Sequence, residues 1–295
     1  MTAIPRRCRA WWCVGVALAG AAWPAGAKTV FFSGFEPFTY MAGTSVNGQD
    51  GWVGSNDFLN PNAAQVVTEN PSRGQQAARI EGEAMQTTAN GIPPQYVVGA
   101  FVRRPFDFDA SAPALSYVMV QSAVRLDGQA LGSGDFYTAT FAATAPGSVT
   151  IGEMQISSDG KVYAFASGKS GSVGTGATPV LSAPVSLGYY HTLGIGIDFA
   201  HDQVQYFLDA VPLGGTMPFD PSIINDVLAA VTIANDARAD AGALRRADYA
   251  SYYDDVIVEA APNLALVPTP GALAWGGIAG AGALAARRRF VRGAQ

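Results

Sequence analysis

The sequence predicts an all-β protein: a single two-sheet jelly-roll sandwich, with a signal peptide before it and an apolar helix after it. Three observations carry that prediction. Short runs of Val, Ile, Tyr and Phe recur between residues 29 and 261, broken at fairly regular spacing by Gly, Pro, Asn and Asp, as in sandwiches and barrels. Several runs alternate with period two. In YVMVQSAVRL, Tyr117, Met119 and Gln121 share one face and Val118, Val120 and Ser122 the other, the signature of strands with one face on a core. Helical patterns are scarce.

The elements follow in chain order. MTAIPRRCRA carries Arg6, Arg7 and Arg9 and no acid, and it leads into apolar WWCVGVALAGAAW and then small-residue PAGAKT. A basic stretch, an apolar core of about a dozen residues and an A-x-A-like end read as a secretory signal over 1–27, cut between Ala27 and Lys28. The apolar run is shorter than the ~20 residues of a spanning helix. Both cysteines, Cys8 and Cys13, lie inside it. The mature chain then has none, which excludes a disulfide framework and a zinc–thiolate site.

The body, 28–261, is long enough to bury a core without such staples. Strands are expected at 30–35, 65–68, 76–80, 96–103, 115–126, 135–143, 149–157, 161–166, 190–198, 203–208, 227–234 and 251–259. Segment 236–246 reads two ways: its alanines permit a helix, while the β-branched VTIA before it favours strand. KSGSVGTGATP (169–179) reads as a Gly/Ser-rich turn. No linker interrupts the body, so it counts as one domain. Residues 262–270 form a linker, whose prolines Pro268 and Pro270 hold the chain extended. An apolar segment and an arginine cluster occupy 271–289, and 290–295 is a short cytoplasmic end.

Charge is unevenly placed. Of 18 Lys+Arg, three lie in the signal and four in the tail, which leaves 11 in the middle with all 23 Asp+Glu, a formal charge near −12. Such a body does not bind nucleic acid through a basic surface.

Catalytic signals are sparse. Paired carboxylates must flank a glycosidic bond at a set distance, yet no Glu-x-Asp-x-x-Glu occurs. Glu81 and Glu83 share a strand face beside a turn glycine and read as a solvated edge. His191 and His201 are the only histidines, ten residues apart, without a third ligand at metal spacing, and no Gly-x-Ser-x-Gly elbow exists. Trp52, Tyr189, Tyr190, Tyr249, Tyr252 and Tyr253 could stack on sugars, but core or strand surface is the more ordinary fate of such residues.

Two resemblances apply. Val267-Pro268-Thr269-Pro270, the apolar 271–286 and Arg287-Arg288-Arg289 resemble the PEP-CTERM sorting signal of Gram-negative bacteria, with Thr269 where glutamate is usual. That resemblance implies export, transient membrane insertion, cleavage by an exosortase, and delivery to the cell surface or extracellular polysaccharide matrix. At 1.5 Å rise per residue the apolar segment would be about 24 Å long, short for a ~30 Å hydrocarbon core. The arginines would stay cytoplasmic. A permanent anchor of the same topology is the alternative.

The body resembles concanavalin A-like (laminin G-like) jelly rolls through FSGFEPFTY and GQDGW near its start, SRGQQAARI, VQYFLDAVPL, and YYDDVIVEA at its end. The resemblance implies that first and last strands are neighbours. It also implies a structural calcium held by Glu36 and Asp255, through the hard oxygens that calcium prefers. The reading is therefore a secreted, non-catalytic protein that binds glycan or another matrix component, with calcium as the one cofactor implied. The alternatives are a polysaccharide-acting glycoside hydrolase and a purely structural scaffold.

Overall fold

The computed structural model describes residues 27–55, 64–81, 96–128, 136–170, 177–239 and 250–266. The signal segment up to residue 26, the sorting box and the whole tail lie outside the described residues, as do Glu83, Tyr249 and most of 236–246. Among the described residues no helix is long and apolar enough to cross a membrane.

The described strands are β1 (Lys28–Ser33), β2 (Val53–Ser55), β3 (Ala64–Val67), β4 (Ala77–Ile80), β5 (Tyr96–Asp109), β6 (Tyr117–Leu126), β7 (Phe136–Thr144), β8 (Thr150–Ser157), β9 (Lys161–Phe165), β10 (Leu181–Pro184), β11 (His191–Asp198), β12 (Gln203–Leu208), β13 (Val211–Pro212), β14 (Met217–Pro218), β15 (Val227–Ala239) and β16 (Ser251–Ala261). Each of the twelve expected strands is present. β2, β10, β13 and β14 are additional and short. Segment 236–246 resolves toward strand as far as Ala239, which ends β15.

The strands form two antiparallel sheets. One runs β13-β12-β11-β6-β16-β4-β3, with β1 also beside β16 and β14 beside β12; the other runs β10-β9-β8-β7-β15-β5-β2. This is the two-sheet sandwich that the alternation predicts. First and last strands are neighbours, with Lys28 opposite Ala260 and Ser33 opposite Val256. The hairpin β12–β13 turns on Asp209 and Ala210, both at positive φ (51° and 68°), the type I′ geometry that matches strand twist.

Between the sheets lies one continuous core, including Val118, Val120, Phe141, Met154, Ile195 and Tyr206. Trp52 is fully buried in it. Its ring lies 5.8 Å from Phe35, and its Nε1 donates to the Tyr40 hydroxyl at 3.0 Å. The lone tryptophan of the body is thus a core residue that keeps its one polar atom satisfied. Tyr253 is also fully buried; it donates to the Thr140 carbonyl at 3.1 Å and to that of Ala234. Asn235 reaches across from β15 to Ser251 of β16 at 2.7 Å, and Ser251 Oγ donates on to the Ile80 carbonyl at 3.1 Å. Polar contacts therefore cross the core and fix how the sheets sit on each other.

Candidate functional site on the seven-stranded sheet

The outer face of the seven-stranded sheet carries polar side chains that are nonetheless buried. On β7 the inward residues are Tyr137, Ala139, Phe141 and Ala143; Thr138 and Thr140 point out, yet are only 0% and 6% exposed. On β8 the outward residues are Glu153, Gln155 and Ser157, likewise buried. Their direction depends on an irregularity. The pairing with β7 shifts register between Ala143 and Thr144, so that Gly152 faces Ala143 and Thr150 faces Thr144. The extra residue re-aims the strand. Gly152 then points at the core, where a Cβ would stand 2.7 Å from Ile195 Cγ2 and 3.1 Å from Tyr206 Oη. The next residue, Glu153, is turned outward.

Strand pairing lines these side chains up in rows across the sheet. One row reads Ser182, Tyr163, Gln155, Thr140, Ala234, Phe101. On its two sides run Phe165–Glu153–Ala142–Thr232–Arg103 and Lys161–Ser157–Thr138–Asp236. At ~4.8 Å per strand the middle row spans about 24 Å. Aromatic rings stand near both its ends, and Phe101 is 41% exposed.

The groups on this face are mutually engaged. Gln155 Nε2 donates to Glu153 Oε1 at 2.7 Å. The Tyr163 hydroxyl donates to Asp159 at 2.5 Å; burial and that carboxylate push the phenol up to about 12. Arg103 reaches the Thr144 hydroxyl at 3.5 Å. Burial pushes the Asp236 carboxyl up to about 6, against a smaller downward pull from the Thr140 hydroxyl. A carboxyl held above the usual carboxylate range, on the same face as a second carboxylate, is a common division of labour in acid–base chemistry. The backbones of Glu153 and Asp236 are two strands and four residues apart, about 16 Å by strand geometry.

The sequence-predicted residues gather elsewhere, where β1 and β16 meet. A Cβ placed on Gly34 would lie 3.6 Å from both Asp255 Oδ1 and Glu36 Cγ, so Glu36 and Asp255 do approach one point. Each has another partner. Glu36 accepts from the Gln75 amide at 3.0 Å, and Asp255 lies 3.5 Å from Arg73 Nε. Burial raises the Asp255 carboxyl, Arg73 lowers it, and Glu36 raises it. Among the described residues no group of three or more His, Cys, Asp or Glu side chains could hold a metal. Two carboxylates supply only part of a calcium shell of six to eight oxygens, and backbone carbonyls and water would have to complete it. Calcium here is a proposal. It expects a melting temperature that rises with added calcium in the native chain and stays level in Glu36→Gln; no rise in the native chain would remove the ion.

Tyr189 is 69% exposed, while the other named residues have structural partners. Glu81 pairs with Arg79. His191 Nδ1, at the start of β11, lies 2.9 Å from Asp209 in the β12–β13 turn, and His201 Nδ1, in the β11–β12 turn, lies 2.9 Å from Asp198. Tyr252 donates to Glu69 at 3.3 Å.

The described strands thus form an antiparallel two-sheet sandwich with a polar face on the outer side of one sheet. No protein-family model and no curated protein matches the chain. Solved structures do match. SCLam, a non-specific endo-β-1,3(4)-glucanase from family GH16, is 15% identical, over 81% of this chain and 92% of that one, with a TM-score of 0.48. The endo-1,3-β-glucanase of Streptomyces sioyaensis is 17% identical over 80% and 97%, at 0.47. The endo-β-1,4-glucuronan lyase of Trichoderma reesei is 14% identical over 80% and 99%, at 0.45. Other matches include a family 7 alginate lyase, a CBM2 module from a phage of Lactobacillus casei, and a sialidase of which this chain covers 17%. At these identities the likeness is one of fold.

The expectation of a non-catalytic body is corrected here. The matching structures are mostly named as glucanases, lyases and a sialidase. The outer face of the seven-stranded sheet also carries acids, Glu153 and Asp236, that a search for paired glutamates in sequence passes over.

Proposed function

We propose that the chain acts on polysaccharide, taking an extended glycan across the strands of the seven-stranded sheet. One observation carries this reading: the buried rows of carboxyl, amide and hydroxyl groups that run between Tyr163 and Phe101. Sugars need such a face, with donors and acceptors for hydroxyls and rings for C–H faces. Asp236, protonated up to about pH 6, serves as general acid to the departing oxygen. Glu153, held by Gln155, supplies the second carboxylate. Their backbones, about 16 Å apart by strand geometry, are too distant for the ~5 Å carboxyl pair of a retaining enzyme. Matches to glucanases and to a carbohydrate-binding module support the ligand class.

The test is release of reducing ends from β-1,3-glucan, mixed-linkage β-glucan and polyuronate by the full chain. No release from any of them, and no unsaturated product, would sink the reading. The same proposal has the protein exported through its N-terminal segment and cut near Val267–Pro270 at the cell surface. Mass spectrometry of the extracellular form checks this: an intact C-terminus at Gln295 would defeat the sorting role.

A further inference from the structure

The opposite face of the molecule carries a polar cavity. On the outer side of the nine-stranded sheet, β6 runs between β11 and β16, and Gln121 faces Gly194 on one side and Ile257 on the other. Beside Gln121 opens a cavity of about 160 Å³, lined by Gln121, Arg73, Thr192 and Asp255 with Ala123 and Ile257. Gln121 is 1% exposed, and neither Oε1 nor Nε2 has a hydrogen-bond partner. Leaving both ends of a buried amide unpaired is costly, and native proteins rarely do so without a water or ligand to answer it.

We infer that this cavity is a binding site for one neutral pyranose unit. Its size matches the roughly 150 Å³ pocket that admits a single six-membered ring. The Gln121 carboxamide offers a donor and an acceptor together, as a pair of adjacent sugar hydroxyls requires. Thr192 adds a hydroxyl, and the Arg73–Asp255 pair adds a donor and an acceptor whose charges cancel, so an uncharged ligand fits. Ala123 and Ile257 supply an apolar patch for the C–H face of the ring. Tyr190 walls one side, its hydroxyl already given to the Asn70 carbonyl at 2.5 Å. The site lies on the opposite sheet from the proposed groove and does not depend on it.

The test is titration of the full chain with methyl β-D-glucopyranoside and methyl β-D-galactopyranoside, followed by the side-chain amide signal of Gln121 in nuclear magnetic resonance. At least one of the two is expected to saturate with a dissociation constant on the order of a millimolar, the range for polar ligands of this size. Gln121→Leu is expected to weaken it about tenfold or more while keeping or raising the melting temperature, since an unpaired polar group is then removed. Thr192→Val weakens it too, and decides the matter if Gln121→Leu does not fold. Asp236→Asn, which disables the groove, leaves this binding intact, so the two readings fail separately. No saturable shift with either glycoside, or binding indifferent to Gln121→Leu and Thr192→Val, overturns the inference.

Discussion

Asp236→Asn is expected to abolish glycan cleavage while making the protein more stable at alkaline pH. An acid that delivers its proton in the transition state contributes about 10²–10⁴-fold, so kcat should fall by that factor with binding retained. The native rate should also decline as pH rises through about 6, where burial has moved this carboxyl, because only the protonated form can donate. The stability sign follows from the same shift. The folded value lies above the unfolded 3.8, so the stabilising contribution is complete below about pH 4 and is lost as pH rises through about 6. At pH 8 the native protein carries an ionised buried carboxylate that costs up to about 3 kcal/mol. Asparagine avoids that cost. Melting temperatures of the two proteins should therefore diverge at pH 8 and converge near pH 3.5. Full activity in Asp236→Asn, or equal melting temperatures at pH 8, would count against the assigned role.

Asp254→Ala is expected to cost about 3–5 kcal/mol, a large share of the 5–15 kcal/mol of a typical domain. Asp254 is wholly buried on β16. Its Oδ2 accepts from the Ser72 and Arg73 amides, each at 3.0 Å, and its Oδ1 from the Asp255 amide at 2.8 Å. Burial pushes this carboxyl up to about 7, while the amides of Arg73, Asp255 and Ser72 pull the other way. Alanine would strand three amides and release the segment that carries Arg73 and reaches Glu36. Asp255 itself sits at φ 48° in the bulge between Asp254 and Ile257. That strained geometry needs the anchor. Chemical denaturation measures the loss, and proteolysis near Arg73 should quicken in parallel. A loss under about 1 kcal/mol would show that the carboxylate does not hold this corner.

The sandwich was legible in the sequence because long strands announce themselves by period two. YVMVQSAVRL, LGIGID and VQYFL each send alternate residues into the core between the sheets, as Val118, Val120, Val124 and Leu126, Leu193, Ile195 and Ile197, and Val204 and Tyr206 do, although most of their outward residues are buried as well. The strands that sequence missed are two to four residues long, too short to show a period and made by pairing with neighbours. The acid face was not legible, for two physical reasons. Residues 151–156, IGEMQI, place Ile151, Met154 and Ile156 in the core. The uneven spacing betrays the irregularity at Gly152: counted from Ile151 a strict alternation turns Glu153 inward, counted from Met154 and Ile156 it turns Glu153 outward, and the sequence alone does not choose. Asp236 is 83 positions away, where the strand expected over 227–234 has already ended and the alanines also permit a helix, and only the insertion of β7 between β8 and β15 sets both acids on one surface. Glu36 and Asp255 were findable because a resemblance tied the chain's first and last strands together. Gln121 stood in plain sight on a named face, but nothing in one strand says that its buried amide is left unpaired beside a cavity.

The pairing of Lys28 with Ala260 has a mechanical consequence. Both ends of the sandwich leave from one corner of the nine-stranded sheet, on the antiparallel pair β1–β16. Tension applied between them would open that pair bond by bond, like a zipper, and would not load all its hydrogen bonds in shear. A sandwich held by one end alone feels no such peeling force. Such a load would pass through the β1–β16 corner alone.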